Sequence, residues 1–302
     1  MRFLVFPPSR TLFNILSVIG LVLLSITFGW AGQGGWRVLS DLPTQDSDIK
    51  VKRPVFAAVD PQRYRYYITD ADQALLVAFD ENGSVLGTLN PENAFQRPVS
   101  MAFGKPGRLW VSDRARNELL YLDLEKKSVR AFSVAYADKS PIVPGRIAVL
   151  PDRGLFVLDR MRGQVVQLDD NMQVVCSFQG ENSEHGIIDF VVRENDLWAL
   201  QLGQAKLLQF DLAGKLKKTL ILNGELEFPY AMDMDEGGLF YVLDRHAGNI
   251  AVFNQKGQLS FKFMTPGRRP GQLHYPADLC FDWSGRLFVV NEGNGRVEVL
   301  GR

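Results

Sequence analysis

The sequence predicts an all-β fold: a six-bladed β-propeller of four-stranded blades, closed by an N-terminal strand and preceded by an apolar signal or anchor helix. Three observations predict it. A strand–turn–strand phrase, as in "VSDRARNELLYLD" (Val111 to Asp123) and "VLDRHAGNIAVFN" (Val242 to Asn254), recurs along the chain. The polar residue that ends each second strand falls at Asp70, Asp113, Asp159, Gln201, Asp244 and Asn291, at intervals of 43, 46, 42, 43 and 47 residues, the length of one blade. The sixth unit lacks a fourth strand, and "GWRVLSDL", Gly35 to Leu42, is a spare strand before the first unit.

The N-terminus stands apart from the repeats. "MRFLVFPPSR" carries Arg2 and Arg10 and no acid, and an uncharged apolar run continues until Arg37. A basic start, an apolar run and the small residues Gly29 and Ala31 around Trp30 form an export pattern. The run also has nearly the length of a membrane span. Residues 1–31 are therefore a signal peptide or an N-terminal membrane anchor, with residues 11–31 as the anchoring stretch. Either reading places the remainder outside the cytoplasm, periplasmic or extracellular. Residues 32–52 are the closing strand and its link, and residues 53–302 are the propeller. Trp36, Val38, Leu39 and Leu42 carry the apolar surface of the closing strand.

Within each unit the register is tight. Three residues before the frame position stands Tyr67, Trp110, Phe156, Trp198, Tyr241 or Phe288. Nine residues after it stands Phe79, Leu122, Leu168, Phe210, Phe253 or Leu300. Large side chains at these two places suit the gap between stacked blades. An Asp or Asn at a strand end accepts backbone N–H groups and sets the turn. Pro54, Pro98, Pro144, Pro229 and Pro276 open first strands, where no ladder bond is lost, and Gly186 takes this place in the fourth unit.

Bulk composition excludes several classes. Basic and acidic residues balance at 34 each, so no global field draws the chain to nucleic acid. Two cysteines, Cys176 and Cys280, are too few for a disulfide framework and are expected as free thiols. Phosphate-binding loops, dinucleotide fingerprints, nucleophile elbows, EF-hand loops and haem attachment motifs are missing from the sequence.

The units, most clearly "GGLFYVLDRHAGNIAVF" from Gly237 and "GRLFVVNEGNGRVEVL" from Gly285, resemble the NHL repeat. The resemblance covers about residues 53 to 302 and is weaker in units one and four. It implies a six-bladed propeller. The family includes RNA-binding and protein-binding modules and a metal-dependent amidating lyase, and similar architectures include lactonases, so the site must decide function.

Three constellations are candidates for that site. His185, His246 and His274 are the only histidines, and all fall in loops of one face. The amidating-lyase resemblance implies that they would hold a divalent metal, although no short ligand spacing supports this, and solvated loop histidines are the plain alternative. Arg114, Arg160 and Arg245 each follow a frame Asp, with Arg116, Arg162, Arg53 and Arg97 nearby. They suit a carboxylate or phosphate, unless each pairs with the Asp of its own or a neighbouring turn. Finally, two residues into the first strands come Phe56, Ser100, Arg146, Ile188, Ala231 and Asp278. Arg146 and Asp278, on opposite blades, would contact a ligand in the channel mouth or form a salt-bridged plug.

The expectation is an exported, monomeric binding or scaffold propeller for a protein, peptide or glycan. It needs no cofactor and meets the membrane only through its N-terminal segment. The alternative is a lyase or hydrolase acting on a small molecule with a divalent metal.

Overall fold

The computed structural model describes residues 35–43, 49–150, 153–180, 186–203 and 205–302. The expected signal or anchor at residues 1–31 lies outside these. Among the described residues no helix is long and apolar enough to cross a membrane.

Six four-stranded antiparallel sheets follow one another around a ring. Blade one comprises Pro54–Asp60, Arg65–Asp70, Leu75–Phe79 and Val85–Leu89. The first strands of blades two to five are Pro98–Phe103, Pro144–Leu150, Ile187–Arg193 and Pro229–Met234. Blade six takes Asp278–Phe281, Leu287–Asn291 and Arg296–Gly301 from the far part of the chain, and Arg37–Leu42 as its outer strand. That strand runs antiparallel to its neighbour, with Arg37 opposite Gly301 and Leu42 opposite Val297. The turns into the fourth strands hold Gly83, Gly214 and Gly257 at φ 85°, 89° and 76°, as their hairpins require.

The core is distributed rather than central. Six hydrophobic clusters are each shared by two neighbouring blades. Phe79, Leu122, Leu168, Phe210, Phe253 and Leu300 are all fully buried in these gaps. The aromatic three residues before the frame is buried in blades one, three, five and six, while Trp110 and Trp198 are half-buried. In the closing strand Trp36 (3% exposed) and Leu42 (2%) are buried in two different gaps. Leu39 departs from expectation: a register shift between Val38 and Ser40 turns it outward, 48% exposed.

The first strands are clipped to one another around the bore. Ser100 Oγ accepts the Ile147 N–H at 3.2 Å, and Asp189 Oδ2 accepts that of Met232 at 2.7 Å. Asp233 Oδ2 accepts the Phe281 N–H at 2.9 Å, and Asp278 Oδ2 that of Ala57 at 3.3 Å. A carboxylate that satisfies a backbone donor of the next blade fixes the angle between blades and hence the shape of the mouth.

Candidate functional site

The loops before each first strand and after each second strand form one face. At its centre lies a cavity of about 430 Å³. Six arginines line it: Arg53, Arg97, Arg114, Arg146, Arg160 and Arg245. Its apolar wall includes Phe56, Ile187, Ile188, Leu202, Phe228 and Tyr230, and its acids are Asp189, Asp278 and Glu292.

The frame carboxylates explain why these arginines are available. Asp113 is fully buried and its Oδ2 accepts the N–H groups of Gln96 (2.7 Å) and Arg97 (2.8 Å). Its Oδ1 accepts those of Ala115 (3.0 Å) and Arg116 (3.1 Å). Asp70 repeats the pattern with Lys52, Arg53, Asp72 and Gln73. The oxygens are occupied by backbone donors, so the arginine that follows a frame Asp does not pair with it.

Among the described residues, Arg97, Arg114 and Arg160 have no ion pair. Repulsion is felt there: the Arg114 guanidinium is held below its ordinary range first by Arg160, then by burial, then by Arg97. The others are engaged. Glu292 takes Arg53 Nε on one oxygen and Arg245 Nη2 on the other, each at 2.7 Å. Arg245 also donates to the Pro276 carbonyl at 2.9 Å and lies over the Tyr230 ring. Arg116 pairs with Glu118, and Arg162 with Asp138.

The floor is an ion cluster. Arg146 Nη1 lies 3.0 Å from Asp189 Oδ1 and 3.1 Å from Asp278 Oδ1, so the arginine spans the bore. Burial pushes the Asp278 carboxyl up to about 7, opposed by Arg146 and reinforced by Asp189. Asp189 is raised by the same burial. One guanidinium cannot neutralise two buried carboxylates, so the charged form of each is disfavoured there.

Asp189 was hidden in the sequence by one residue. Ile187 pairs with Gln201 as Pro98 pairs with Asp113, so the second inward position of blade four is Asp189 rather than Ile188. An acid inside the apolar run "IIDFVV" was the available signal. Ile187, not Gly186, thus stands in the place of the strand-opening proline, and Gly186 just before it is required by close approach. A Cβ there would stand 2.6 Å from the Gly163 Cα of the preceding loop.

His246 and His274 each have partners of their own. His246 is exposed and stacks on Phe228, with ring centroids 4.6 Å apart. The His274 N–H donates to Asn291 Oδ1 at 2.9 Å, and its Nδ1 lies 3.2 Å from the Gly293 carbonyl. His185 lies outside the described residues. Among those described, no three His, Cys, Asp or Glu side chains are grouped to hold a metal. Cys176 and Cys280 are free thiols.

A wider hollow of about 1310 Å³ lies among the turns that join first to second strands, on the opposite face. There Arg193, Arg286 and Arg302 are paired with Asp233, Asp282 and Asp235. Arg37 and Lys218 also line that hollow without an ion pair among the described residues, so what sets the mouth apart is that Arg97, Arg114 and Arg160 are close enough to repel one another.

No protein-family model matches the sequence. Solved structures do share the fold. The chain is a six-bladed β-propeller. A streptogramin B lyase superposes with TM-score 0.65 at 10% identity, covering 90% of this chain and 99% of the lyase. A gluconolactonase from Xanthomonas campestris gives 0.66 at 16% identity, covering 89% and 91%. A catalytically inactive virginiamycin B lyase from Staphylococcus aureus with quinupristin gives 0.63 at 12%, covering 85% and 83%. Such low identities establish the architecture alone, and the site must be argued from its own side chains.

Proposed function

We propose that this protein is a binding propeller that receives an acidic group of its partner in the arginine mouth. The observation that carries the reading is the set Arg97, Arg114 and Arg160, without an ion pair among the described residues, around a concave cavity that is apolar along part of its wall. A guanidinium offers a planar fork to an oxyanion, and a concave wall focuses its field. NHL-like repeats fit this use, since a rigid ring presents loops to a protein, peptide or glycan. The export pattern places that partner in the periplasm or outside the cell. Fluorescence anisotropy with a labelled oligo-glutamate peptide, at low and high salt, is the direct test. Binding should be lost when Arg97, Arg114 and Arg160 are changed together to Gln. Equal binding by the variant would remove the mouth from the function.

A second reading is a metal-dependent lyase or hydrolase acting on a small molecule, with His185, His246 and His274 as ligands. It is supported by the stacking of His246 on Phe228, a residue of the mouth, and by the likeness to lyase and lactonase propellers. Elemental analysis separates the two. A stoichiometric metal that disappears in the triple His→Ala variant favours this reading, and a metal content indifferent to those changes sinks it.

A further inference from the structure

We infer that the acidic group is a phosphate monoester carried on an apolar, ring-sized body. This rests on the binding reading above and specifies its ligand. The mouth has its unpaired arginines on two blades and much of its large apolar wall on two others, although Arg245 lies among the latter and Val99 and Leu158 among the former. Blades two and three supply Arg97, Arg114 and Arg160, all without ionic partners among the described residues. Blades four and five supply Ile187, Leu202, Phe228 and Tyr230. A ligand that satisfies both sides is charged at one end and apolar at the other.

The charge at the first end is the more telling. Arg114 is repelled by Arg160 and by Arg97, so of the positive charge gathered there a dianion offsets about twice as much as a single negative charge. A phosphate monoester carries about −1.5 to −2 at neutral pH and presents three terminal oxygens, one for each guanidinium. A carboxylate has two oxygens and one charge. The acidic floor of Asp189 and Asp278 keeps an anion at the rim rather than in the bore.

The arginine roots are fixed before a ligand arrives. The Arg97 N–H is held by Asp113 Oδ2 and the Arg97 carbonyl accepts the Arg114 N–H at 2.9 Å. The Arg160 N–H donates to the Val143 carbonyl at 2.9 Å. The Arg160 stem lies on Gly145, where a Cβ would stand 2.8 Å from its Cγ. Prepaid ordering of this kind favours tight binding. On the other side the Phe228 and Tyr230 rings are inclined at 28° with centroids 6.1 Å apart, His246 stacking on the first and Arg245 lying over the second. The cavity of about 430 Å³ accommodates a phosphorylated ring.

Calorimetry with phenyl phosphate, inorganic phosphate, benzoate and phenol tests the inference, with a phosphotyrosine peptide to distinguish a free from a peptide-borne source. Phenyl phosphate should bind at least about tenfold more tightly than each of the other three small probes. Arg114→Gln and Arg160→Gln should each remove about tenfold of that affinity with melting temperature unchanged. Phe228→Ala should lower phenyl phosphate toward inorganic phosphate and leave the latter unaffected. Benzoate binding as tightly as phenyl phosphate, with both lost in the arginine variants, overturns the phosphate inference and leaves the acidic-group reading standing. Phenyl phosphate binding that ignores the arginine variants, or failure of every anion including the oligo-glutamate peptide, overturns both.

Discussion

Arg146 on blade three donates to Asp278 on blade six across the full width of the bore, at 3.1 Å. The pair ties opposite blades directly and makes the cavity floor a charged partition. Its balance is delicate, because Asp189 competes for the same guanidinium nitrogen.

The pH dependence of stability follows from that competition. The Asp278 pKa is raised in the folded protein to about 7, above its unfolded value of about 3.9. The stabilisation from its retained proton is fully present below about pH 4 and is lost as pH rises through about 7. The melting temperature should therefore fall by several degrees between pH 5 and pH 8, other titrations apart. Asp278→Asn retains an acceptor for the Ala57 N–H and should flatten this fall. An unchanged pH profile in that variant refutes the assignment.

Removal of the closing strand should open the ring. Trp36 and Leu42 are buried in separate blade gaps, and their loss removes about 5 kcal/mol of apolar transfer. That is comparable to a domain's net stability of about 5–15 kcal/mol. Deleting residues 1–45 should give aggregation or a far lower melting temperature, whereas deleting 1–31 should be harmless. Equal melting curves for the two proteins disprove the clasp role.

Glu292 restrains two arginines of the mouth at once. Glu292→Gln should free Arg53 and Arg245 and raise affinity for an acidic probe about three- to tenfold at low salt. The gain should shrink at high salt, where screening shortens the reach of exposed charge. No gain in a low-salt titration contradicts the electrostatic account.

Gly145→Ala tests positioning without changing charge. The new methyl would stand 2.8 Å from Arg160 Cγ and displace the arm. Affinity for the acidic probe should drop several-fold while the melting temperature holds. Retained affinity would show that the Arg160 stem need not lie on this glycine.

The fold was legible because each blade meets the same physical demands. A gap needs a large side chain and a buried loop needs a carboxylate, so both recur at fixed offsets. The site was legible only in part. The arginines after the frame acids stood out, but their freedom depends on oxygens of Asp113 and Asp159 that donors from the loop before the first strand occupy. Asp189 was lost because blade four begins its pairing at Ile187, one residue later than its glycine implied. Leu39 looked buried by composition, and a register shift, which has no composition signature, turned it outward.

The pairing of Arg37 with Gly301 sets an order of events during synthesis. Each blade from one to five is built from neighbouring hairpins, so its strands can pair once its own segment is made, while the gap it shares with the next blade waits for that blade. The strand at Arg37–Leu42 is made early, yet its partner at Arg296–Gly301 is made only after all five of those blades. Throughout that interval the edge of the early strand lies bare and the most costly loop closure is still to come. The vulnerable moment in this protein's life is therefore its birth, when an early edge must wait for a partner not yet made without meeting a stranger's.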